Sequence, residues 1–186
     1  MMCCKFLIFF KNYTAKLYLQ TIFRKMDFTV RQGVITDAEA ILALIQELAV
    51  FEKLPNEVEL SVKDIEEDGF SVNPKFKVFV AEDSEKEIIG MALFYDRYST
   101  WKGKAIHLED LIVTESKRKL GVGKALYTAV LKYAYDNKYK RVAWDVLDWN
   151  IGAIDFYEST GANVFQDWRV THMNEQGLKN FINENI

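Results

Sequence analysis

LEDLIVTESKRKLGVGKAL, residues 108–126, passes from a strand through a glycine turn into a helix. Leu108, Leu111, Ile112 and Val113 form an apolar run of the length and β-branched character of a buried strand. Two adjacent carboxylates, Glu109 and Asp110, stand in the middle of that run and call for an explanation. Thr114-Glu115-Ser116 breaks it, Lys117-Arg118-Lys119 supplies a basic patch, and Gly121-Val122-Gly123 turns the chain. Ala125, Leu126, Ala129, Val130, Tyr133 and Ala134 then recur at helical spacing, one stripe facing a core. A helix opening at such a turn points its first unpaired N–H groups outward, at the positive end of its dipole. That is an anion site, and glycines at 121 and 123 let a phosphate lie against the backbone. Arg118 and Lys124 add charge at the rim.

The spacing separates three nucleotide-binding patterns. A Walker loop needs glycine where Arg118 stands and Ser or Thr where Ala125 stands. A dinucleotide fingerprint needs a small residue in place of Leu126. What remains, Arg118-x-x-Gly121-x-Gly123 between a strand and a helix, resembles the acetyl-CoA pyrophosphate loop of the GCN5-related N-acetyltransferase superfamily.

With 186 residues, 49% of them hydrophobic, the chain has material for one well-buried domain. A net charge of -3 gives no basic footprint for nucleic acid. Cys3 and Cys4 are neighbours at the N-terminus, so the domain has no disulfide framework and no thiolate metal site. His107 and His172 are isolated, which points to neither a metal nor a nucleophilic triad.

Residues 1–25 carry five basic residues and no acidic one. They read as an extension ahead of a domain spanning 27–186. Phe6–Phe10 is too short for a secretory core or a membrane span. We favour an upstream start or unordered tail, with Met26 the functional start. The alternative is an organellar transit peptide.

From Asp27 strands and helices alternate. Phe28–Gln32 opens as a strand, and Thr36 to Glu39 reads as a capping box for a helix burying Ile41, Leu44, Ile45 and Leu48. Ser61 to Asp64 caps a second helix, with Gly69 expected to end it. Phe76–Ala81 and Ile88–Tyr95 are strands joined by a polar hairpin loop. After the glycine turn and its helix come a strand at Val142–Val146, a helix from Asn150 to Ser159 ended by Gly161, and closing strands at Val164-Phe165 and Trp168–Val170.

This order matches that superfamily, and the detail is sharper. Phe51-Glu52-Lys53-Leu54, Glu67-Asp68-Gly69-Phe70, Leu108-Glu109-Asp110-Leu111 and Val146-Leu147-Asp148-Trp149-Asn150 resemble segments of the diamine acetyltransferase family, which includes the spermidine/spermine enzymes and their thialysine-acetylating relatives. The first and last of these are closer to the thialysine branch. The likeness covers Phe28 to Met173 and implies an α/β (α+β) fold with a mixed, mostly antiparallel central sheet flanked by helices. It further implies acetyl-CoA as cosubstrate and a cytoplasmic homodimer. Two departures stand out: His107 occupies a place where the family usually has Tyr, and Lys119 one where it usually has Gly. If position 119 needs positive φ, Lys119 costs roughly 1 kcal/mol.

Acetyl transfer to an alkylamine of pKa ~10.4 needs a base, because only about one molecule in a few thousand carries its lone pair at neutral pH. Glu109, matching the family's functional glutamate, is the candidate base and amine-attracting group. Asp110 points to the opposite face of a regular strand, so both line one pocket only if the strand is bulged. Glu52 matches a family position near the distal amine; a solvated helix end is the alternative. Trp101, in Ser99-Thr100-Trp101-Lys102, matches a loop beside the amine pocket and could stack on an ammonium or pack on a partner.

Tyr157, in Asn150-x-x-Ala153-x-x-Phe156-Tyr157, stands where the family keeps its general acid for the departing sulfur; a packed core aromatic is the alternative. Cofactor contacts are expected from the backbone of Leu111, Ile112 and Val113, from Arg118, Lys119, Leu120, Gly121, Val122, Gly123 and Lys124, and from Asn150, which is also a natural helix cap. The resulting expectation is direct acetyl transfer from acetyl-CoA to a small primary amine, without metal, nucleic acid or membrane. The alternatives are a peptide or protein amine as acceptor, or a non-catalytic acyl-CoA-binding sensor.

Overall fold

The computed structural model describes residues 27–186, so the extension at residues 1–25 lies outside the described residues. The first of two compact units ends at Trp144 and the second is Asp145–Ile186.

In the first unit, β1 (Phe28–Gln32), β2 (Lys77–Asp83), β3 (Ile88–Ser99), β4 (Gly103–Val113) and β5 (Arg141–Ala143) lie side by side in that order. The first four pair antiparallel, and β4 and β5 pair parallel. The fold class is therefore the mixed, mostly antiparallel sheet that the sequence implied.

Successive side chains on a strand point to opposite faces. Val78, Val80, Met91, Leu93 and Ile112 take one face and bury against Ala38, Ile41 and Leu44 of α1 (Ala38–Phe51) and Ile65 of α2 (Val62–Phe70). Phe79 and Phe94 take the other, where their rings meet Tyr133 of α3 (Val122–Asp136). Gly90 permits this layer to close: a Cβ there would stand 2.7 Å from the Ile112 carbonyl oxygen.

Two helix ends differ from expectation. The chain enters α1 through a 3-10 turn, Ile35–Asp37, and Asp37, not Thr36, is the N-cap residue, its side chain capping that turn and making no capping hydrogen bond to α1. Its Oδ2 accepts the Val34 N–H at 2.8 Å while Arg31 donates to both carboxylate oxygens. That guanidinium holds the buried Asp37 carboxyl below the usual range. The Ser61–Asp64 box forms as expected. Gly69, however, lies inside α2, which runs on to Phe70, because the missing Cβ leaves room for the Phe76 ring.

The C-terminal part departs further. β5 stops at Ala143, and the Trp144 ring packs edge-on against Tyr127 where a longer strand was expected. In the second unit, α4 (Ile151–Ser159) is the expected helix. Val164-Phe165 and Trp168–Val170 are not strands: Phe165, Trp168 and Val170 are exposed and no ladder reaches them. A helix not foreseen, α5 (Glu175–Asn185), follows, with Asn174 Oδ1 accepting the Gly177 N–H at 2.8 Å. Among the described residues no helix is long and apolar enough to cross a membrane.

Candidate active site

β3 and β4 pair from Gly90↔Val113 to Leu93↔Asp110, then resume at Phe94↔Leu108. Glu109 is the residue left over, so β4 carries a β-bulge there. The bulge removes the alternation that would send Glu109 and Asp110 to opposite faces. Both carboxylates line one cavity of about 300 Å³ under α1 and α2.

The cavity is acidic. Asp64 and Asp68 of α2 join Glu109 and Asp110, Lys75 is the cation among them, and Ile65, Phe76 and Leu93 give apolar wall. The Asp110 carboxyl is pushed up to about 6, first by burial and then by the charges of Glu109 and Glu52. Glu52 caps the C-terminus of α1, and burial raises its own carboxyl. The structure thus brings Glu52, Glu109 and Asp110 into one electrostatic group. Among the described residues no cluster is arranged to hold a metal. The negative field suits an organic ammonium.

His107, buried on β4, sits behind Glu109. Its Nδ1 is 3.2 Å from Arg97 Nη1, and its Nε2 is 3.5 Å from Glu109 Oε2. Arg97 can only donate, so the network assigns the acceptor role to Nδ1 and a proton to Nε2, which faces the carboxylate.

The anion site is built as expected in outline. Gly121 opens α3 at φ 88, and the first i→i−4 bond of the helix runs from the Ala125 N–H to the Gly121 carbonyl. The N–H groups of Val122, Gly123 and Lys124 precede that bond, and no atom comes within 4 Å of a Cβ built on Gly121. Lys119 and Lys124 are exposed beside it. β5 pairs with β4 only from Ala105 to His107, so from Leu108 to Val113 that edge of β4 has no ladder partner, and a strand-like ligand could add there. Leu111, Ile112 and Val113 lie along that edge, and Leu120 is exposed just before the turn. Open glycine space, outward N–H groups and a free edge fit the diphosphate and amides of coenzyme A.

Arg118 is placed differently from a rim cation. Its Nε donates to the Val113 carbonyl at 2.9 Å, its guanidinium lies over the Phe51 ring, and Nη2 stands 3.7 Å from Glu47. Lys119 does adopt positive φ, 64.

Trp101 is 78% exposed in the turn between β3 and β4. Register places that turn about 20 Å along the strands from the bulge, and Trp101 does not line the cavity. Asn150 and Tyr157 belong to the second unit. Asn150 Oδ1 accepts the Ala153 N–H as an N-cap, and Tyr157 is the buried residue of α4.

Sequence reasoning missed Asp68 and Lys75 as cavity residues and read Asp64 only as a cap. The i, i+4 spacing of Asp64 and Asp68 was the available signal. It also missed Glu47, whose carboxylate accepts the Glu115 N–H at 2.8 Å and the Thr114 hydroxyl at 3.1 Å.

The model of the Acetyltransferase (GNAT) family matches residues 41–162. A thialysine N-epsilon-acetyltransferase of Bos taurus is 37% identical over 140 residues, 72% of this chain and 82% of that protein. The spermidine/spermine N(1)-acetyltransferase-like protein 1 of Homo sapiens is 31% identical over 160 residues, 81% of this chain but 23% of that protein. Among solved structures, an aminoglycoside N-acetyltransferase in complex with CoA superposes with a TM-score of 0.63 at 20% identity, covering 79% of this chain and 95% of that one.

Proposed function

The chain belongs to the GNAT acetyltransferase family, and on that premise we propose that it transfers acetyl from acetyl-CoA to a primary amine of a small cationic acceptor of the diamine, polyamine or thialysine kind. The observation that carries this reading is the bulge that turns Glu109 and Asp110 into one acidic cavity. The names of the relatives agree with it.

Acetyl-CoA supplies the acetyl group as a thioester. The cavity carboxylates draw in the ammonium form of the acceptor, and Glu109, half-exposed and backed by His107, takes its proton directly or through water. The neutral amine then attacks the thioester carbonyl in a ternary complex, the C–S bond breaks as Tyr157 gives its hydroxyl proton to the departing sulfur, and the second proton of the acylated nitrogen passes to the tyrosinate, which restores Tyr157. The turn from Arg118 to Lys124 and the edge of β4 hold the cofactor, with Asn150 at the head of α4. Glu52 offsets a second positive charge on the acceptor, and Trp101 acts outside this cavity. The homodimer and cytoplasmic setting implied by the resemblance belong to the same proposal, as does a single catalytic domain over 27–186.

The test is acetyl-CoA-dependent thiol release by the full chain, with thialysine, spermidine, putrescine, lysine and a lysine-containing peptide at matched concentrations. Turnover of small amines over the peptide is expected. Acetyl-CoA binding with no turnover of any amine would leave a sensor and overturn the reading. Tyr157→Phe should lower turnover while acetyl-CoA still binds; unchanged turnover removes Tyr157 from the acid role.

A further inference from the structure

Lys117-Arg118-Lys119 is one basic patch in the sequence, but the fold does not place its three cations alike. Lys119 is exposed, and Arg118 lies over Phe51 while holding the Val113 carbonyl. Lys117 reaches another element: its Nζ donates to Asp83 Oδ2 at 3.3 Å. Asp83 ends β2, and its side chain is 7% exposed. Asp83 Oδ1 accepts the N–H groups of Glu85 and Glu87 at 2.9 and 3.1 Å, so the hairpin loop between β2 and β3 fixes the carboxylate and presents Oδ2 as a ready acceptor. A carboxylate taken from water needs a cation as well as hydrogen bonds. Among the described residues Lys117 is the cation within ion-pair distance of Asp83, because the nearby Arg31 and Lys86 serve Glu82.

Lys117 closes a 3-10 turn, Glu115–Lys117, and the anion turn starts at the next residue. Two backbone bonds hold that short turn together, from the Lys117 N–H to Thr114 and from the Arg118 N–H to Glu115. Its first end is tied to α1, where Glu47 accepts from Thr114 and Glu115. Its second end is tied to the β2–β3 hairpin through Lys117 and Asp83. The N–H groups that open α3 favour a diphosphate most when they are aimed before it arrives, which a segment anchored at both ends provides. We infer that Lys117 is a positioning residue for the cofactor turn: it acts through Asp83 to hold the chain just ahead of Arg118, and it does not itself meet the diphosphate. This rests on the acetyltransferase reading above.

The experiment measures acetyl-CoA affinity of the full chain by calorimetry, together with kcat and both KM values for thiol release. Lys117→Met should weaken acetyl-CoA binding and raise its KM about five-fold, with kcat and the amine KM within about two-fold of wild type. Lys117→Arg, which can still reach Asp83, should restore the wild-type values. A cycle with Asp83→Asn separates positioning from direct contact: that variant should match Lys117→Met, and the double variant should be no worse than either. If Lys117→Met costs as much in the Asp83→Asn background as in wild type, the lysine acts on the diphosphate itself and the inference falls. Should Asp83→Asn fold poorly, hydrogen exchange of free Lys117→Met decides instead. The amides of residues 115–118 are expected to exchange faster, and weaker binding with unchanged exchange overturns the inference. Wild-type affinity in Lys117→Met overturns it too and leaves acetyl transfer intact, whereas a wild-type chain that binds no acetyl-CoA sinks both readings together.

Discussion

His107 Nε2 lies 3.5 Å from Glu109 Oε2, with Arg97 donating to the opposite nitrogen of the same ring. The imidazole is buried and the carboxylate half-exposed, so the ring fixes one side of a group whose other side is open to an amine. His107→Phe keeps a planar ring but removes the donor. We expect kcat to fall by up to about five-fold, since a polar contact at 3.5 Å is worth no more than a hydrogen bond of ~1 kcal/mol, with KM for acetyl-CoA unchanged. His107→Gln can present an amide N–H in place of Nε2 and should recover much of the loss. Equal losses in both variants would make His107 a packing residue only.

Asp110 gives the site a pH dependence of definite sign. Its carboxyl is pushed up to about 6 by burial and then by the charges of Glu109 and Glu52, so protonation below that pH removes one charge that attracts the acceptor. KM for the amine should rise as pH falls through 6, and Asp110→Asn should flatten that rise. Stability moves the other way. Between the ordinary carboxyl value, 3.8, and about 6 the folded state holds the proton more firmly than the unfolded chain, so stability falls as pH rises across that window. Asp110→Asn should therefore raise the unfolding free energy at pH 8 by an amount on the order of 1 kcal/mol once partial exposure is discounted, seen as a higher Tm, and leave it unchanged at pH 4. A gain of the same size at both pH values would rule out the ionisation as its cause.

Lys119 holds φ 64 in the anion turn. A side chain there costs roughly 1 kcal/mol, partly offset by the greater freedom glycine has in the unfolded chain. Lys119→Gly should raise Tm by about 1–3 °C. If the ammonium also contacts the diphosphate, KM for acetyl-CoA rises in the same variant. A gain in Tm with KM unchanged would assign Lys119 to strain alone.

Much of this was legible because it is local. The glycine turn, the α3 stripe and the Ser61 cap depend on near neighbours, and each forms as read. The bulge is not local. Alternation from Leu108 predicts opposite faces for Glu109 and Asp110, and the exception arises because Leu108 follows Phe94 in register while Asp110 follows Leu93. Pairing across strands, not the sequence of β4, sets that offset. Lys75 meets Asp68 only once the chain has turned through Pro74, at a backbone hydrogen bond that no side-chain pattern announces. Val164-Phe165 and Trp168–Val170 have strand composition but no partner strand, and composition cannot supply one. Gly177 and a polar surface hid α5, whose Asn174 cap is the visible signal in hindsight.

Glu47 joins the two halves of the proposed chemistry. It projects from α1, the helix that Glu52 caps, and its carboxylate takes the Glu115 N–H and the Thr114 hydroxyl while standing 3.7 Å from Arg118. Arg118 in turn holds the Val113 carbonyl and covers Phe51. The segment leading into the anion turn is thus pinned to α1 by hydrogen bonds that include a charged acceptor, each worth about 1.5–3 kcal/mol when broken alone. Glu47→Ala should loosen residues 114–118, seen as faster exchange of the Glu115 amide hydrogen, and raise KM for acetyl-CoA several-fold. KM for the amine should stay put, since no cavity carboxylate is touched. Were the amine KM to move and the cofactor KM not, the pin would act on the Glu52 end of α1 and not on the loop.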